Sequence, residues 1–450
     1  MDNSQGIETL RLLANIGYYE DQYPNILSCN EDISYSTIVE KYFHEQSLFP
    51  LKASRVGLYV HIPFCKTQCL YCDCTVLVEE RESIWSAYLD VLQEEAAAQY
   101  RSFGAKIPIE TCYIGGGTPS VLSVDHLKRL DEILRKYYDF SNVIQYTFEC
   151  SPYTTDAEKL DFIADMGVNR ITFGVQSLDE TILKLYNRPQ EKEETLDIIL
   201  QARKKFPYVN IDIIAGLPGQ SLKSFVFTMK TISKYIRPTT MVVHPFQPTL
   251  RTPFARMQRP YTQSDIAIRK VMRKLAEKFT LPIERSPEFN RAKNQQLYDI
   301  SYSYKSVIGL GFGAITTIPG SVKYHFESFE TYMQGKTNND IHVKACTMDQ
   351  KDLGAAYFLR CIISQGVDFR EYSRIFDESI EQNIFYQRIF SEKLEEYFTI
   401  NDNSISFSRN LSKIEKRNLL LHYFGRYPIL VPKKYEGSPL YSDLDIFFDY

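Results

Sequence analysis

The sequence lacks an apolar run long enough to cross a membrane, because none reaches the roughly 18 residues that a spanning helix needs. Its first eight residues also lack the basic and then apolar pattern of a secretory signal. The net charge is −4, so there is no excess of cations that would favour nucleic acid as the main partner. These absences predict a cytoplasmic protein whose partners are neither membranes nor nucleic acid.

Cysteines are scarce outside one short segment. Nine are present, and four of them fall within ten residues: Cys65, Cys69, Cys72 and Cys74. An extracellular disulfide framework would spread its cysteines more evenly, so a reducing compartment with one metal or cluster site fits better. The remaining composition, 44% hydrophobic and 24% charged, is that of an ordinary globular protein. A length of 450 residues predicts two or three domains.

Apolar β runs alternate with helical patterns from about residue 56 to residue 247. The predicted strands are Val56–Ile62, Glu110–Ile114, Gln145–Cys150, Arg170–Val175, Asn210–Ile214 and Thr240–His244. Helical patterns lie between them, and this alternation is typical of a parallel sheet with crossover helices. We therefore expect an α/β fold, a partial (β/α)6 barrel of the TIM type, with its active site at the carboxyl ends of the strands.

The pattern changes after about residue 320. Helical periodicity covers 349–365, 370–376 and 380–397, and a short strand pair is predicted near 397–400 and 404–407, followed by a helix at 412–424. We expect an N-terminal extension over residues 1–55 with a helix near 36–46, a barrel domain over 56–320, and a mainly helical C-terminal domain with a small β wing over 321–450.

Three of the clustered cysteines directly follow the first predicted strand. Cys65, Cys69 and Cys72 are separated by three and then two residues. Three thiolates can hold three irons of a [4Fe–4S] cluster and leave the fourth iron open to a ligand. The alternative is a zinc site with Cys74 as the fourth ligand. Structural zinc usually pairs two separate knuckles, whereas these four cysteines share one loop, so we interpret Cys74 as a neighbouring thiol.

Polar and glycine residues lie at or just beyond the ends of successive predicted strands. They are Glu149, Gln176, Arg188, Asp212 and the turn Gly115–Pro119. Each polar residue alone is more often a surface or capping residue. Together, at one end of one sheet, they suit a ligand with hydroxyls, an amine and a carboxylate. The glycine turn leaves N–H groups free for a carboxylate or a nucleoside, and it is not a Walker loop because no Gly-Lys-Ser/Thr follows.

Tyr59 and His61 are the candidate catalytic residues. They alternate with Val60 and Ile62 on the first strand, so both lie on the same face of it. A lone histidine in a strand more often has a core or capping role, but the position beside the cysteine loop makes a hydrogen bond to a ligand competitive. We do not interpret the segment Gly309–Ile315 as a dinucleotide fingerprint, since no βαβ unit with an acidic partner surrounds it; we expect a turn that closes the site.

With these motifs the chain resembles the radical S-adenosylmethionine (SAM) enzymes and, among them, the oxygen-independent coproporphyrinogen III oxidase family, over about residues 56–320. The matching elements include Tyr-Val-His-Ile-Pro-Phe-Cys, Cys-x-x-x-Cys-x-x-Cys-x-Cys, Gly-Gly-Gly-Thr-Pro, Phe-Glu-Cys-Ser-Pro, Gly-Val-Gln-Ser, Tyr-Asn-Arg and Ile-Asp-Ile-Ile-Ala-Gly-Leu-Pro. The resemblance implies a [4Fe–4S] cluster held by Cys65, Cys69 and Cys72, a 5′-deoxyadenosyl radical made from SAM, a flavodoxin- or ferredoxin-type electron donor, and a tetrapyrrole-like substrate of porphyrin or haem biosynthesis.

The resemblance also implies two groups of ligand-binding residues. Those that would contact the cluster-bound SAM are Tyr59, Gly116, Glu149 and Ile315. Those that would hold a second SAM are Tyr71, Gly117, Thr118, Gln176, Arg188 and Asp212.

Two departures from the oxidase pattern keep other functions open. The oxidase family carries a Gln-Gly-Tyr-Thr-Thr stretch where this chain reads Gln-Gln-Leu-Tyr-Asp-Ile-Ser, and the Thr-Pro-Phe that ends at Phe254 looks more like the related haem chaperone. The alternatives are therefore a radical methyltransferase or cyclopropane-forming enzyme of a natural-product pathway, and a haem chaperone.

Overall fold

The structure is a computed structural model. It describes residues 31–43, 56–246, 252–257, 262–276, 306–318, 322–336, 342–347 and, with short gaps, 349–411. The helix predicted at 412–424, parts of the one predicted at 349–365 and most of the N-terminal extension lie outside the described residues. No helix of the described part is both long and apolar enough to cross a membrane.

The strands of the described residues are numbered in chain order. They are β1 Glu31–Ser34, β2 Val56–Ile62, β3 Phe64–Cys65, β4 Leu77–Val78, β5 Ile107–Gly116, β6 Tyr138–Asp139, β7 Gln145–Cys150, β8 Arg170–Gln176, β9 Tyr208–Ala215, β10 Thr240–Pro245, β11 Val307–Leu310, β12 Ile315–Ile318, β13 Val322–His325, β14 His342–Thr347, β15 Val367–Asp368, β16 Phe398–Asn401 and β17 Ser404–Phe407.

The α-helices are α1 Tyr35–Tyr42, α2 Glu82–Phe103, α3 Val124–Tyr137, α4 Ala157–Asp165, α5 Glu180–Leu185, α6 Lys192–Lys205, α7 Leu222–Thr231, α8 Pro253–Arg256, α9 Gln263–Ala276, α10 Phe329–Met333, α11 Phe369–Phe376 and α12 Ile384–Ser391. A π-helical turn, Ile232–Ile236, continues α7. Short 3-10 turns cover Pro119–Val121, Pro152–Thr154, Gln334–Lys336, Ile380–Gln382 and Glu395–Tyr397.

Six parallel strands form the centre of the main sheet. They lie side by side in the order β2, β5, β7, β8, β9 and β10, and each neighbouring pair is parallel. The helices α2 to α7 connect them, since parallel neighbours need a crossover. The predicted α/β fold with a parallel sheet is confirmed, and all six predicted strands are present.

The main sheet also extends beyond its parallel part. β11 pairs with β2 in parallel, and β12, β13, β14 and β1 follow in antiparallel order. The sequence pattern predicts mainly helical structure after residue 320, yet β13 and β14 lie there. These strands are four and six residues long. They are stabilised by their pairing with β12 and β1, and not by a strong local sequence pattern.

Burial explains why β2 presents Tyr59 and His61 to the site. Leu58, Val60 and Ile62 are completely buried, so the opposite face of the strand carries the two polar residues. Their predicted placement on one face follows from the two-residue period of a strand. The helix α3 buries one apolar stripe, including Leu127 and Leu130, against this sheet.

The C-terminal part has a core of its own, and its small sheet has the order β15-β17-β16. The predicted strand pair is confirmed. The single helix predicted over 380–397 is wrong, because it is broken at Asn383, whose side chain accepts the N–H groups of Phe385 and Tyr386 and so caps α12. The helix α12 ends shortly before Lys393, which has a φ of 57°.

Candidate active site

A cavity of about 540 Å³ opens at the carboxyl ends of the parallel strands. It is lined by every residue predicted for the site: Tyr59, His61, Cys65, Cys69, Tyr71, Cys72, Gly116, Gly117, Thr118, Glu149, Gln176, Arg188, Asp212 and Ile315. The parallel sheet brings these residues together because its strands all end at the same edge. Their individual roles stay predictions.

The cysteine loop is held by its own turn and by the segment after α5. The N–H of Cys72 donates to the carbonyl of Cys69 at 3.1 Å, and the N–H of Leu70 donates to the carbonyl of Tyr186 at 3.0 Å. The side-chain amide of Asn187 donates to the carbonyl of Gln68 at 2.9 Å. These bonds position the loop across the mouth of the sheet.

The cysteine thiols differ in their surroundings. Burial raises the pKa of the Cys65 thiol to about 12, although the hydroxyl of Thr118, 3.3 Å from its sulfur, opposes the rise. The hydrogen bond from the Cys74 thiol lowers the pKa of Cys72, while the same contact raises the pKa of Cys74. Among the described residues, no group of three or more His, Cys, Asp or Glu side chains is arranged to hold a single metal ion. Three thiols on one wall of a cavity are the donor set that a [4Fe–4S] cluster uses.

Arg188 ties the cysteine loop to the sheet. Its Nε donates to Oε1 of Gln190 at 2.8 Å, and its Nη2 donates to the hydroxyl of Ser151 at 2.9 Å and to the carbonyl of Gly174. Its Nη1 lies 3.6 Å from the sulfur of Cys69. Four of the five guanidinium N–H groups are therefore engaged within the protein, so bidentate pairing with a ligand carboxylate would require these bonds to be exchanged.

His61 is held in one tautomer. Its Nε2 lies 2.9 Å from the carbonyl oxygen of Thr75, which can only accept, so Nε2 carries the proton and Nδ1 accepts from the hydroxyl of Tyr59 at 3.3 Å. Burial lowers the pKa of His61 to about 4, which keeps the ring neutral. A Cβ on Gly116 or on Gly313 would lie 2.7 Å or 2.9 Å from the ring, so both glycines allow the close approach.

Glu149 is a carboxyl group whose protonation state would depend on the ligand that binds beside it. It accepts hydrogen bonds from the hydroxyl of Tyr113 and, at 3.3 Å, from the N–H of Gly116. Burial raises its pKa to about 7, and the nearby carboxylate of Asp212 contributes to the rise. A bound ammonium or hydroxyl donor would favour the ionised form.

Gln176 combines backbone strain with an unpaired polar atom. Its φ is 66°, and the pairing of β8 with β9 shifts register between Gly174 and Gln176. Its buried Oε1 accepts no hydrogen bond from any described residue. Strained backbone and an orphan acceptor in a cavity wall both favour a ligand-binding role.

Several lining residues were missed by the sequence reasoning. They are Tyr113, Ser151, Tyr153 and His244. Two of them had a usable signal: Tyr113 alternates with Gly115 at the end of β5, and His244 is the last residue of the sixth predicted strand, where the other strands carry their site residues. The imidazole Nε2 of His244 lies 3.8 Å from Oδ1 of Asp212.

Residues 59–232 match the family model of the radical SAM superfamily. Over this range, which carries the candidate site, the chain is similar to the radical SAM superfamily. The matched range contains the three cysteines and every predicted site residue except Ile315. Members of this superfamily use a [4Fe–4S] cluster and SAM, and the cysteine wall of the cavity fits that cofactor set.

The curated relatives of this chain include two kinds of protein. The oxygen-independent coproporphyrinogen III oxidase of Escherichia coli is 31% identical over 213 residues, which are 47% of this chain and 45% of the relative. The oxidase of Pseudomonas aeruginosa is 34% identical over 212 residues, 44% of this chain and 46% of the relative. The heme chaperone HemW of Bacillus subtilis is 28% identical over 276 residues, 58% of this chain and 71% of the relative. The chain thus spans about half the length of the oxidases that it matches.

One solved structure shares the fold over most of its length. Coproporphyrinogen III oxidase (HemN) from Escherichia coli superimposes with a TM-score of 0.69 and 22% identity, covering 88% of this chain and 95% of that chain. The chain therefore has a HemN-like mixed α/β fold.

Proposed function

We propose that the chain is a radical SAM oxidoreductase of the oxygen-independent coproporphyrinogen III oxidase type. Its reaction would convert propionate side chains of a tetrapyrrole to vinyl groups in porphyrin biosynthesis. The observation that supports this best is that the cysteine loop, the glycine turn and the carboxyl groups of Glu149 and Asp212 line one and the same cavity. The identity to the oxidases within this region supports the same reaction.

The chain's own residues would bind and orient the cofactors. Cys65, Cys69 and Cys72 would hold the cluster. When bound, the reduced cluster and SAM supply a 5′-deoxyadenosyl radical that abstracts hydrogen from a substrate carbon. Glu149 would accept a hydrogen bond from the ammonium or a ribose hydroxyl of SAM, and Gly116 would let the ligand approach the backbone closely.

The wall near Gln176 supports a second SAM site. Its buried Oε1 has no partner among the described residues, and Asp212 offers a carboxylate beside it in the same cavity. We propose that the residues of this second site are those named from the resemblance: Tyr71, Gly117, Thr118, Gln176, Arg188 and Asp212. We also propose a flavodoxin- or ferredoxin-type protein as the electron donor.

The substrate reaction places requirements on the cavity. In this reaction the 5′-deoxyadenosyl radical would take a hydrogen atom from the propionate carbon next to the ring, and loss of CO₂ together with transfer of one electron to an external electron acceptor would leave a vinyl group. A radical must be kept from water and other hydrogen donors during these steps. The apolar residues Ile214 and Phe246 line the cavity, belong to one apolar cluster against which Leu70 and Tyr71 of the cysteine loop pack, and would exclude water.

The test is anaerobic. The full chain is reconstituted with iron and sulfide, reduced, and given SAM with and without coproporphyrinogen III, and the products are measured by mass spectrometry. We expect 5′-deoxyadenosine that depends on coproporphyrinogen, together with vinyl product. The Cys69→Ala variant should form neither, whereas Cys112→Ser, which changes a buried cysteine outside the cavity, should form both. 5′-Deoxyadenosine with unchanged porphyrinogen would contradict the oxidase proposal.

A haem chaperone is the second candidate, because the match to HemW of Bacillus subtilis covers 71% of that relative. In that case the chain would bind haem tightly and pass it to an acceptor without forming 5′-deoxyadenosine. The same assay separates a third outcome, since S-adenosylhomocysteine among the products would indicate methyl transfer.

A further inference from the structure

His244 is the next-to-last residue of β10 and lines the cavity. β10 runs parallel to β9, with Thr240 opposite Asn210 and His244 opposite Ile214. Because side chains alternate along a strand, residues 240, 242 and 244 of β10 share the face on which residues 210, 212 and 214 of β9 lie. His244 is therefore next to Asp212 across two neighbouring strands.

A chain of hydrogen bonds holds the carboxylate that faces His244. The hydroxyl of Thr240 donates to Oδ1 of Asn210 at 2.7 Å, and Nδ2 of Asn210 donates to Oδ1 of Asp212 at 2.8 Å. Thr240 and Asn210 are both buried. The Nε2 of His244 lies 3.8 Å from the same Oδ1 of Asp212. Asp212 is thereby oriented toward the imidazole from one side.

His244 differs from the other basic side chains of the cavity. Among the described lining residues these are Arg188 and the neutral His61. Arg188 uses four of its N–H groups within the protein, and both ring nitrogens of His61 have partners. None of the described residues is hydrogen-bonded to Nδ1 of His244, and its side chain is 37% exposed. Its second ring nitrogen is available to a ligand.

The surroundings favour a doubly protonated ring. Burial by itself would lower the pKa of His244, but the carboxyl groups of Asp212, Asp73 and Glu149 raise it above its ordinary value. An imidazolium donates from both nitrogens, so Nδ1 is then a donor.

We propose that His244 binds a carboxylate of the substrate through Nδ1–H, while Asp212 holds the imidazole from the Nε2 side. The identity of that carboxylate as a propionate of a tetrapyrrole rests on the proposed function. A substrate of this class carries several carboxylates and needs at least one hydrogen-bond donor in the cavity to bind one of them. A charge-assisted hydrogen bond of this kind both strengthens binding and selects the acid over its ester.

Binding of a stable porphyrin acid and of its ester tests the proposal. The full chain with reconstituted cluster is titrated with coproporphyrin III and, separately, with coproporphyrin III tetramethyl ester, and porphyrin fluorescence is followed. We expect His244→Gln to weaken binding of the acid at least about tenfold and to leave binding of the ester unchanged, because only the acid meets the imidazolium. His342→Gln is the matched control, since His342 is an exposed histidine on β14 paired with Asp32.

Three results would overturn the proposal. They are equal affinity of the wild type and His244→Gln for the acid, no binding of the acid by the wild type, and an equal loss of affinity for acid and ester. The last result would mean that the substitution had damaged the cavity in general.

Turnover separates this proposal from the proposed function. If His244→Gln weakens binding of the acid but the wild type forms no vinyl product, the carboxylate site is supported and the oxidase proposal is contradicted. If vinyl product forms but His244→Gln binds the acid as the wild type does, the oxidase assignment stands and the role of His244 falls.

Discussion

The carboxylate of Glu95 accepts the backbone N–H of Gly311 at 2.9 Å. Glu95 lies on α2, and Gly311 belongs to the glycine-rich turn between β11 and β12. The hydroxyl of Tyr332 donates to the same carboxylate oxygen at 2.9 Å. On the same helix, the hydroxyl of Tyr88 donates to the carbonyl of His61 at 2.7 Å. One face of α2 therefore joins the turn that precedes Ile315 to the strand that carries His61.

The pH dependence of stability should report the buried carboxyl of Glu95. Burial raises its pKa from an ordinary 4.5 to about 7, although the bonds from Gly311 and Tyr332 oppose the rise. Because the folded pKa is the higher one, this group's contribution to stability is full below pH 4.5 and is lost as the pH rises through 7. Glu95→Gln keeps the neutral form at every pH. We expect the free energy of unfolding of the wild type to fall by about 2–3 kcal/mol relative to Glu95→Gln between about pH 5 and pH 8.

Urea unfolding at the two pH values measures this difference. Glu94→Gln, which changes an exposed carboxyl of the same helix, is the control and should follow the wild type. Parallel pH profiles of the wild type and Glu95→Gln would show that the carboxyl of Glu95 does not titrate differently in the folded state.

Gly116 and Gly104 form a matched pair for testing the close contact with His61. Both have positive φ, 113° and 80°, but a Cβ on Gly104 would meet nothing within 4 Å, whereas one on Gly116 would lie 2.7 Å from the His61 ring. We expect Gly104→Ala to lower the free energy of unfolding by about 1–2 kcal/mol, from backbone strain alone. Gly116→Ala should cost more, because the ring must also move. Equal costs in thermal or urea unfolding would argue against the contact.

Iron content should separate the three ligand cysteines from Cys74. We expect Cys65→Ala, Cys69→Ala and Cys72→Ala each to lose most of the iron and acid-labile sulfide after anaerobic reconstitution, because each removes one thiolate from the cluster. Cys74→Ala should retain both. Loss of metal from Cys74→Ala together with the other three, and zinc in place of iron in the purified protein, would favour the four-thiolate zinc alternative.

Arg188 should not tolerate replacement by lysine. Lysine keeps the charge but lacks the planar fork, so it cannot reach Gln190, Ser151, Gly174 and Cys69 at once. We expect Arg188→Lys to lower the free energy of unfolding by about 2–3 kcal/mol, because buried acceptors lose their partner. Arg203→Lys, an exposed position on α6, should change it by less than about 0.5 kcal/mol. Similar changes in the free energy of unfolding for the two variants would contradict the proposal that Arg188 ties the cysteine loop to the sheet.

Local pattern was enough to predict the parallel strands and the side of the sheet that carries the site. β7 has the bounds that the pattern predicts, Gln145–Cys150, since Tyr146, Thr147 and Phe148, all of high β propensity, stand between turn signals. The same pattern failed over residues 380–397, where the periodicity looked continuous but Asn383 begins a new helix. The local pattern also failed to predict β14. Of its two pairing partners, β13 is only four residues long and β1 lies far from it along the chain.

The amino-acid sequence by itself determined the spacing of the three cysteines, the shared face of Tyr59 and His61, and the edge of the sheet at which polar residues collect. These are local properties, because the period of a strand and the direction of parallel strands follow from the chain alone. Only the tertiary structure decided that His61 is neutral, that Arg188 is engaged by the protein, and that His244 faces Asp212. Burial sets the pKa, and contacts between distant residues depend on how the crossovers pack the strands together.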